Sequence, residues 1–113
     1  MEISNFRFGC FNIDGVEYQH DIKIVDNKIK IWNYIKHHTV VPEDLDDILS
    51  VNPEIIIIGI GESGLVFVEE STKKLAKEKN INLIIKKTSE ACKEFNSLTR
   101  QYKKVAAILH ATC

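Results

Sequence analysis

The chain has few cysteines, and those it has cannot build a disulfide framework. Cys10, Cys92 and Cys113 are three in number and widely spaced over 113 residues. An odd, scattered set suits a reducing compartment, so a cytoplasmic location is expected. No C-x-x-C or H-x-x-x-H pair occurs, which removes the usual spacing of a zinc site, and no metal is expected. Charge of one sign is also missing. Lys plus Arg total 15 against 16 for Asp plus Glu, a net charge of −1, so no basic field calls for nucleic acid or anionic lipid. No apolar run is long enough to span a membrane, and Met1 to Phe11 carries Glu2 and Arg7, so no secretory leader is expected. Internal repeats, low-complexity tracts and linkers are absent as well.

What is present reads as one domain over residues 1–113. Hydrophobic content of 44% with 27% charged residues fits a folded globular chain. The length allows a real core but not a two-halved dinucleotide fold with a substrate domain.

Two halves differ in period. In the first, Phe6, Phe8 and Cys10 alternate with other residues, and Asp14-Gly15 signals a hairpin before Val16-Glu17-Tyr18. Ile22 and Ile24 alternate with Lys23, Asp26-Asn27 turns the chain, and Ile29 and Ile31 alternate with lysines. This is a β-meander with one apolar face. Trp32 to Val41 has no period and reads as a long loop. In the second half Pro42 opens a helix with Leu45, Ile48 and Leu49 as its stripe, stopped by Asn52-Pro53. Asp44, Asp46 and Asp47 read as surface charges complementing the helix dipole. Ile55–Ile60, Ile81–Ile85 and Val105–Leu109 are buried strands. Ser71–Lys79 is a Lys-rich helix. Thr88 or Ser89 caps a third, with Ala91, Cys92, Phe95, Leu98 and Tyr102 as its apolar stripe. Helices between buried strands imply βαβ units.

Gly59-Ile60-Gly61-Glu62-Ser63-Gly64 is a literal G-x-G-x-x-G directly after a strand. As a dinucleotide fingerprint it requires a helix starting inside it, and a carboxylate closing the next strand about 20 residues on. Leu65-Val66-Phe67-Val68 follows instead of a helix, and Ile85 to Lys87 offers lysines but no acid. The nucleotide reading fails on both counts. Two readings remain: a Gly-rich exit from a strand, or a nest in which the amides near Gly59, Gly61 and Gly64 hold a small anion with Lys86 or Lys87.

His110-Ala111-Thr112-Cys113 invites metal or thiol chemistry. Residues three apart on an extended strand face opposite ways, so His110 and Cys113 share an ion only if the chain turns. A thiolate at Cys113 activated by His110 is the enzymatic alternative. Against it, a terminal carboxylate on Cys113 would raise the thiol pKa. If the three buried strands run parallel, their C-terminal ends bring together the Gly-rich turn, Lys86, Lys87, Thr88 and His110 to Cys113. Trp32, His38, Thr88 and Thr112 are the remaining candidates for a pocket there.

Five features carry a family resemblance. They are Phe6-Arg7-Phe8-Gly9, Trp32 before the loop with His38, Ile57-Ile58-Gly59-Ile60-Gly61, Thr88-Ser89-Glu90-Ala91 leading to Phe95-Asn96, and Val105 through Cys113. On these the chain resembles, almost end to end, the small Mth-type domain. That domain also occurs in the adipogenesis-associated domain protein and in a mitochondrial complex I assembly factor. The resemblance implies a three-layer α/β domain with a mixed central sheet and no assigned catalysis. Asn33-Tyr34 depart from the charged pair of cytosolic relatives. The mitochondrial branch lacks the His-x-Thr-Cys ending, so a role shared by the whole family does not depend on Cys113.

The leading expectation is therefore a cytoplasmic, non-enzymatic interaction or assembly domain without a cofactor, with a protein partner or a small anion at the Gly-rich turn. An enzyme using His110 and Cys113 is the alternative, and a nucleotide-binding protein the third.

Overall fold

The computed structural model describes residues 1–101 and 103–113; Tyr102, expected in a helical stripe, lies outside the described residues. The strands are β1 (Ile3–Arg7), β2 (Cys10–Ile13), β3 (Val16–Tyr18), β4 (Ile22–Val25), β5 (Lys28–Ile31), β6 (Thr39–Val40), β7 (Ile55–Gly59), β8 (Phe67–Val68), β9 (Asn82–Lys86) and β10 (Val105–Leu109). The helices are α1 (Asp46–Leu49), entered through a 3-10 turn at Pro42–Leu45, α2 (Glu70–Glu78) and α3 (Thr88–Arg100).

The central sheet is five-stranded and mixed, in the order β5-β4-β10-β7-β9. β7 is parallel to both β10 and β9, while β4 runs antiparallel to β10 and β5 antiparallel to β4. β7 and β10 are continuous aliphatic runs because both of their faces are covered. By contrast β9, expected as a buried strand, lies at the sheet edge with Asn82 exposed and Leu83 to Lys86 half-buried. Residues alternate between two cores. Ile55, Ile57, Ala107 and Leu109 pack with Ala91, Cys92 and Phe95 of α3 and with Ile3, Phe11 and Ile13 of the first strands. Ile56, Ile58, Ala106 and Ile108 pack with Leu45, Ile48, Val40, Ala76 and Trp32. The result is a three-layer α/β domain. Fully burying a side chain such as Phe95 or Ile57 contributes about 1.5–3 kcal/mol, and both have 0% exposure.

The first half divides where the sequence reads as one meander. β1, β2 and β3 form their own antiparallel sheet, turning at Phe8-Gly9 and Asp14-Gly15, whereas β4 and β5 join the central sheet. Phe8, expected in a strand, sits in a turn and is exposed. Asp26 and Asn27 take positive φ (51° and 60°), the twist a two-residue hairpin needs.

Asp44 corrects the surface-charge reading, since it is buried. Its Oδ1 accepts from Trp32 Nε1 at 3.0 Å and its Oδ2 from the Val41 amide at 2.9 Å. It ties both ends of the long loop together and so positions everything that loop carries. None of the helices among the described residues is long and apolar enough to cross a membrane.

Candidate functional site

The parallel strands β7, β9 and β10 do bring the Gly-rich turn, the start of α3 and the His110–Cys113 segment to one sheet edge. The Gly-rich turn leads to β8 and not to a helix, so the helix that a dinucleotide fingerprint needs is missing. Apart from that of Ser63, the backbone amides from Ile60 to Val66 have partners within the chain. Gly61 N donates to Thr88 Oγ1 at 2.9 Å, Glu62 N to Thr112 O at 2.9 Å and Leu65 N to Cys113 O at 3.1 Å. Ile60, Gly64 and Val66 donate to Lys86, Gly61 and Ile60 carbonyls. The free amide of Ser89, at the positive end of α3, is capped by Glu62 Oε1 at 2.8 Å. An anion held by more than the Ser63 amide would have to displace those bonds, and it would sit beside the Glu62 carboxylate. Lys86 lies near Glu94 on α3 (3.9 Å), and Lys87 is exposed at the helix start.

The turn grips the segment that follows β10. Gly61 has φ +89°, and a Cβ there would overlap the Cys113 carbonyl group. Gly59 is hemmed in by Thr88, whose Oγ1 and Cα lie 3.0 and 3.1 Å from the position of a Cβ. Thr88 does not cap α3 with its side chain. It is fully buried, and its hydroxyl donates to His110 O at 2.7 Å while accepting from Gly61 N. One hydroxyl thus joins turn, helix and final strand.

The chain does turn after β10. Ala111 N donates to Asp21 Oδ1 at 2.7 Å, and Ala111 O accepts from Gly9 N at 2.7 Å. The condition for His110 and Cys113 to face one another is thus met: Cys113 Sγ lies 3.7 Å from His110 Nε2. Asp21, which no motif marks, faces the other ring nitrogen, with Oδ2 2.8 Å from His110 Nδ1. His38 completes the group, its Nε2 3.4 Å from Sγ. The adjacent His37 turns away to Tyr34, Nδ1 to phenolic oxygen 3.3 Å.

Charge follows geometry. The Asp21 hydrogen bond is the main force holding the buried His110 imidazole above its ordinary pKa, and Cys113 adds to it. Hydrogen bonds from His110 and then Thr112 hold the Cys113 thiol below the usual range. Cys92 is the contrast, with burial pushing its thiol up to about 12. It is a core residue, as its place in the apolar stripe predicts.

A cavity of about 240 Å³ opens beside this group. Its walls include Asp21, Trp32, Tyr34, His38, His110 and Thr112. Trp32 and His38, read from sequence only as loop residues near a pocket, thus meet the C-terminal segment; Lys86 and Lys87 are not among the wall residues.

Known proteins share this architecture. The 13 kDa major membrane protein of Francisella tularensis subsp. holarctica (strain LVS) is 31% identical over 107 residues, covering 89% of this chain and 83% of that protein. The conserved hypothetical protein PH1505 of Pyrococcus horikoshii OT3 has a crystal structure that matches at a TM-score of 0.85 with 31% identity, over 100% of both chains. A Mth938-like domain of Bordetella pertussis, solved by NMR, shares the fold at 12% identity and a TM-score of 0.72, over 97% of this chain and 85% of that one. A family model described as "protein of unknown function (DUF498/DUF598)" matches residues 3–110. The chain belongs to that family, whose Mth-type domain its strands, turn and closing segment build.

Proposed function

We propose that this is a reactive-thiol protein in which Cys113 forms a covalent bond with a small electrophile. The observation that carries this reading is the line Asp21–His110–Cys113. Asp21 holds Nδ1, which leaves Nε2 directed at Sγ. That is the arrangement of a nucleophile, a base and an orienting carboxylate. His110 Nε2 takes the thiol proton, and Sγ gives its electron pair to the electrophilic atom. The bond from that atom to its leaving group breaks with its electrons going to the leaving group, and the proton passes from Nε2 to that group. The cavity walled by Trp32, Tyr34 and His37 suits a small, partly apolar substrate.

Site-resolved alkylation of metal-free protein tests this. Cys113 should react with iodoacetamide at neutral pH well ahead of free cysteine, and His110→Gln should slow it. A rate equal to free cysteine, or no effect of His110→Gln, overturns the proposal.

A second reading, the interaction domain, is favoured by exposed apolar side chains at Tyr34, Ile35, Leu65 and Phe67. They lie on the long loop and on the segment paired with it, where Phe67 is partnered with Thr39. A protein partner with an apolar face would cover them. An Ile35→Asp, Phe67→Asp double variant that keeps its fold should then lose a stoichiometric partner retained by the unaltered chain; equal retention removes this reading.

A further inference from the structure

We infer that His38, His110 and Cys113 form a binding site for a zinc-class divalent cation with one coordination position left open. The inference rests on the His110–Cys113 pair of the thiol reading and adds His38, but it does not require that pair to be catalytic. Its basis is ligand spacing. With Zn–N about 2.05 Å and Zn–S about 2.3 Å, tetrahedral geometry puts sulfur about 3.6 Å from each nitrogen. Sγ stands 3.4 Å from His38 Nε2 and 3.7 Å from His110 Nε2. All three donor atoms lie within 4.8 Å of one another, so modest side-chain movement closes the set around one ion.

Two further features fit a metal. Asp21 accepts at Nδ1 of His110, which fixes the tautomer that offers Nε2 as a ligand; carboxylate–histidine–metal relays use this arrangement. His38 is held with φ +48°, a left-handed conformation that is uncommon for a residue with a side chain. Phe67 N donates to His38 O at 2.9 Å, and Thr39 Oγ1 to His37 O at 2.9 Å, so the loop is fixed in this conformation on both sides. Asn tolerates the same backbone, which makes His38→Asn a ligand deletion with little strain.

Three protein ligands leave the fourth position for water or a substrate, and two of the three, His38 and His110, line the cavity. A bound cation also takes up the Cys113 lone pair, so metal loading and alkylation exclude each other.

Cobalt(II) is the probe, added to chelator-stripped protein. One equivalent should produce a thiolate-to-cobalt charge-transfer band and tetrahedral visible bands, both displaced by zinc. Cys113→Ser should lose the charge-transfer band, and His38→Asn should weaken binding by more than about tenfold, since losing even an outer-shell partner of a ligand costs about 10–100-fold. Cobalt added beforehand should block alkylation of Cys113. No charge-transfer band, or equal binding by the Cys113→Ser chain, overturns the inference. Fast alkylation without cobalt binding leaves the thiol reading standing alone. Cobalt binding with a stripped thiol no faster than free cysteine does the reverse.

Discussion

Asp21 Oδ2 lies 2.8 Å from His110 Nδ1 while Asp21 Oδ1 accepts the Ala111 amide at 2.7 Å. One carboxylate therefore sets both the orientation of the imidazole and the turn that carries Cys113 back toward it. The first prediction concerns Asp21→Asn. Without the anion, His110 falls toward its ordinary pKa, less imidazolium faces the thiol, and the thiolate fraction drops. Alkylation of Cys113 at neutral pH should slow roughly three- to tenfold, with its pH midpoint moved upward. Buried Cys92 serves as the internal control. An unmoved midpoint would show that Asp21 only shapes the turn.

The same pair makes stability depend on pH. His110 has a folded pKa raised above its unfolded value of about 6.5, so the fold binds that proton more tightly than the unfolded chain does. The stabilisation is complete below about pH 6.5 and is lost as pH rises through the raised folded value. In urea titrations of chelator-treated protein, the deficit of His110→Gln should thus be larger in acid and shrink toward alkaline pH. A deficit that grows with pH contradicts this assignment.

How much of this was legible in the sequence depends on which forces decide each part. Ile55–Ile60 and Val105–Leu109 read as buried strands because a run of aliphatic residues has few other uses; the first ends at Gly59, and the three strand ends meet as expected. Asp21 was not legible. It matters only because Ile22 pairs with Leu109, which brings the residue before β4 beside His110, and strand pairing between distant segments leaves no local mark. Asp44 misled for a related reason. Its position at a helix start fits a surface charge, but the Trp32 indole N–H lies buried above it and needs an acceptor. The closing turn at Ala111 was invisible too, because it is imposed by Gly9, Asp21 and Glu62 contacts and not by its own residues.

Thr88 gives the third prediction. Thr88→Val keeps the shape but leaves the Gly61 N–H and the His110 C=O without the hydroxyl that now serves both. Orphaning such groups costs about 1–3 kcal/mol each, so a loss of roughly 2 kcal/mol or more is expected in urea titration. Thr88→Ser retains the hydroxyl and should lose only the methyl contribution, on the order of 1 kcal/mol. Equal losses in the two variants would mean that packing, and not the bifunctional hydroxyl, holds this junction.

Gly61 and Gly64 separate backbone strain from collision. Both have positive φ, +89° and +68°, so an alanine at either should cost about 1–3 kcal/mol of strain. Only at Gly61 does the new methyl collide, overlapping the Cys113 carbonyl group and lying 3.0 Å from His110 Cδ2; at Gly64 its nearest neighbour is Ile60 Cδ1 at 3.7 Å. Relief at Gly61 requires the final residues to lift away, which breaks the Leu65 N to Cys113 O bond and carries Sγ from both imidazoles. Gly61→Ala should therefore lose the enhanced alkylation of Cys113 and the cobalt charge-transfer band as well as stability. Gly64→Ala should lose stability and keep both signals. If Gly61→Ala remains as reactive as the unaltered chain, the Gly-rich turn is a strand exit with no part in building the site. If both signals vanish in Gly61→Ala alone, its task is to clear space for the segment that ends in Cys113.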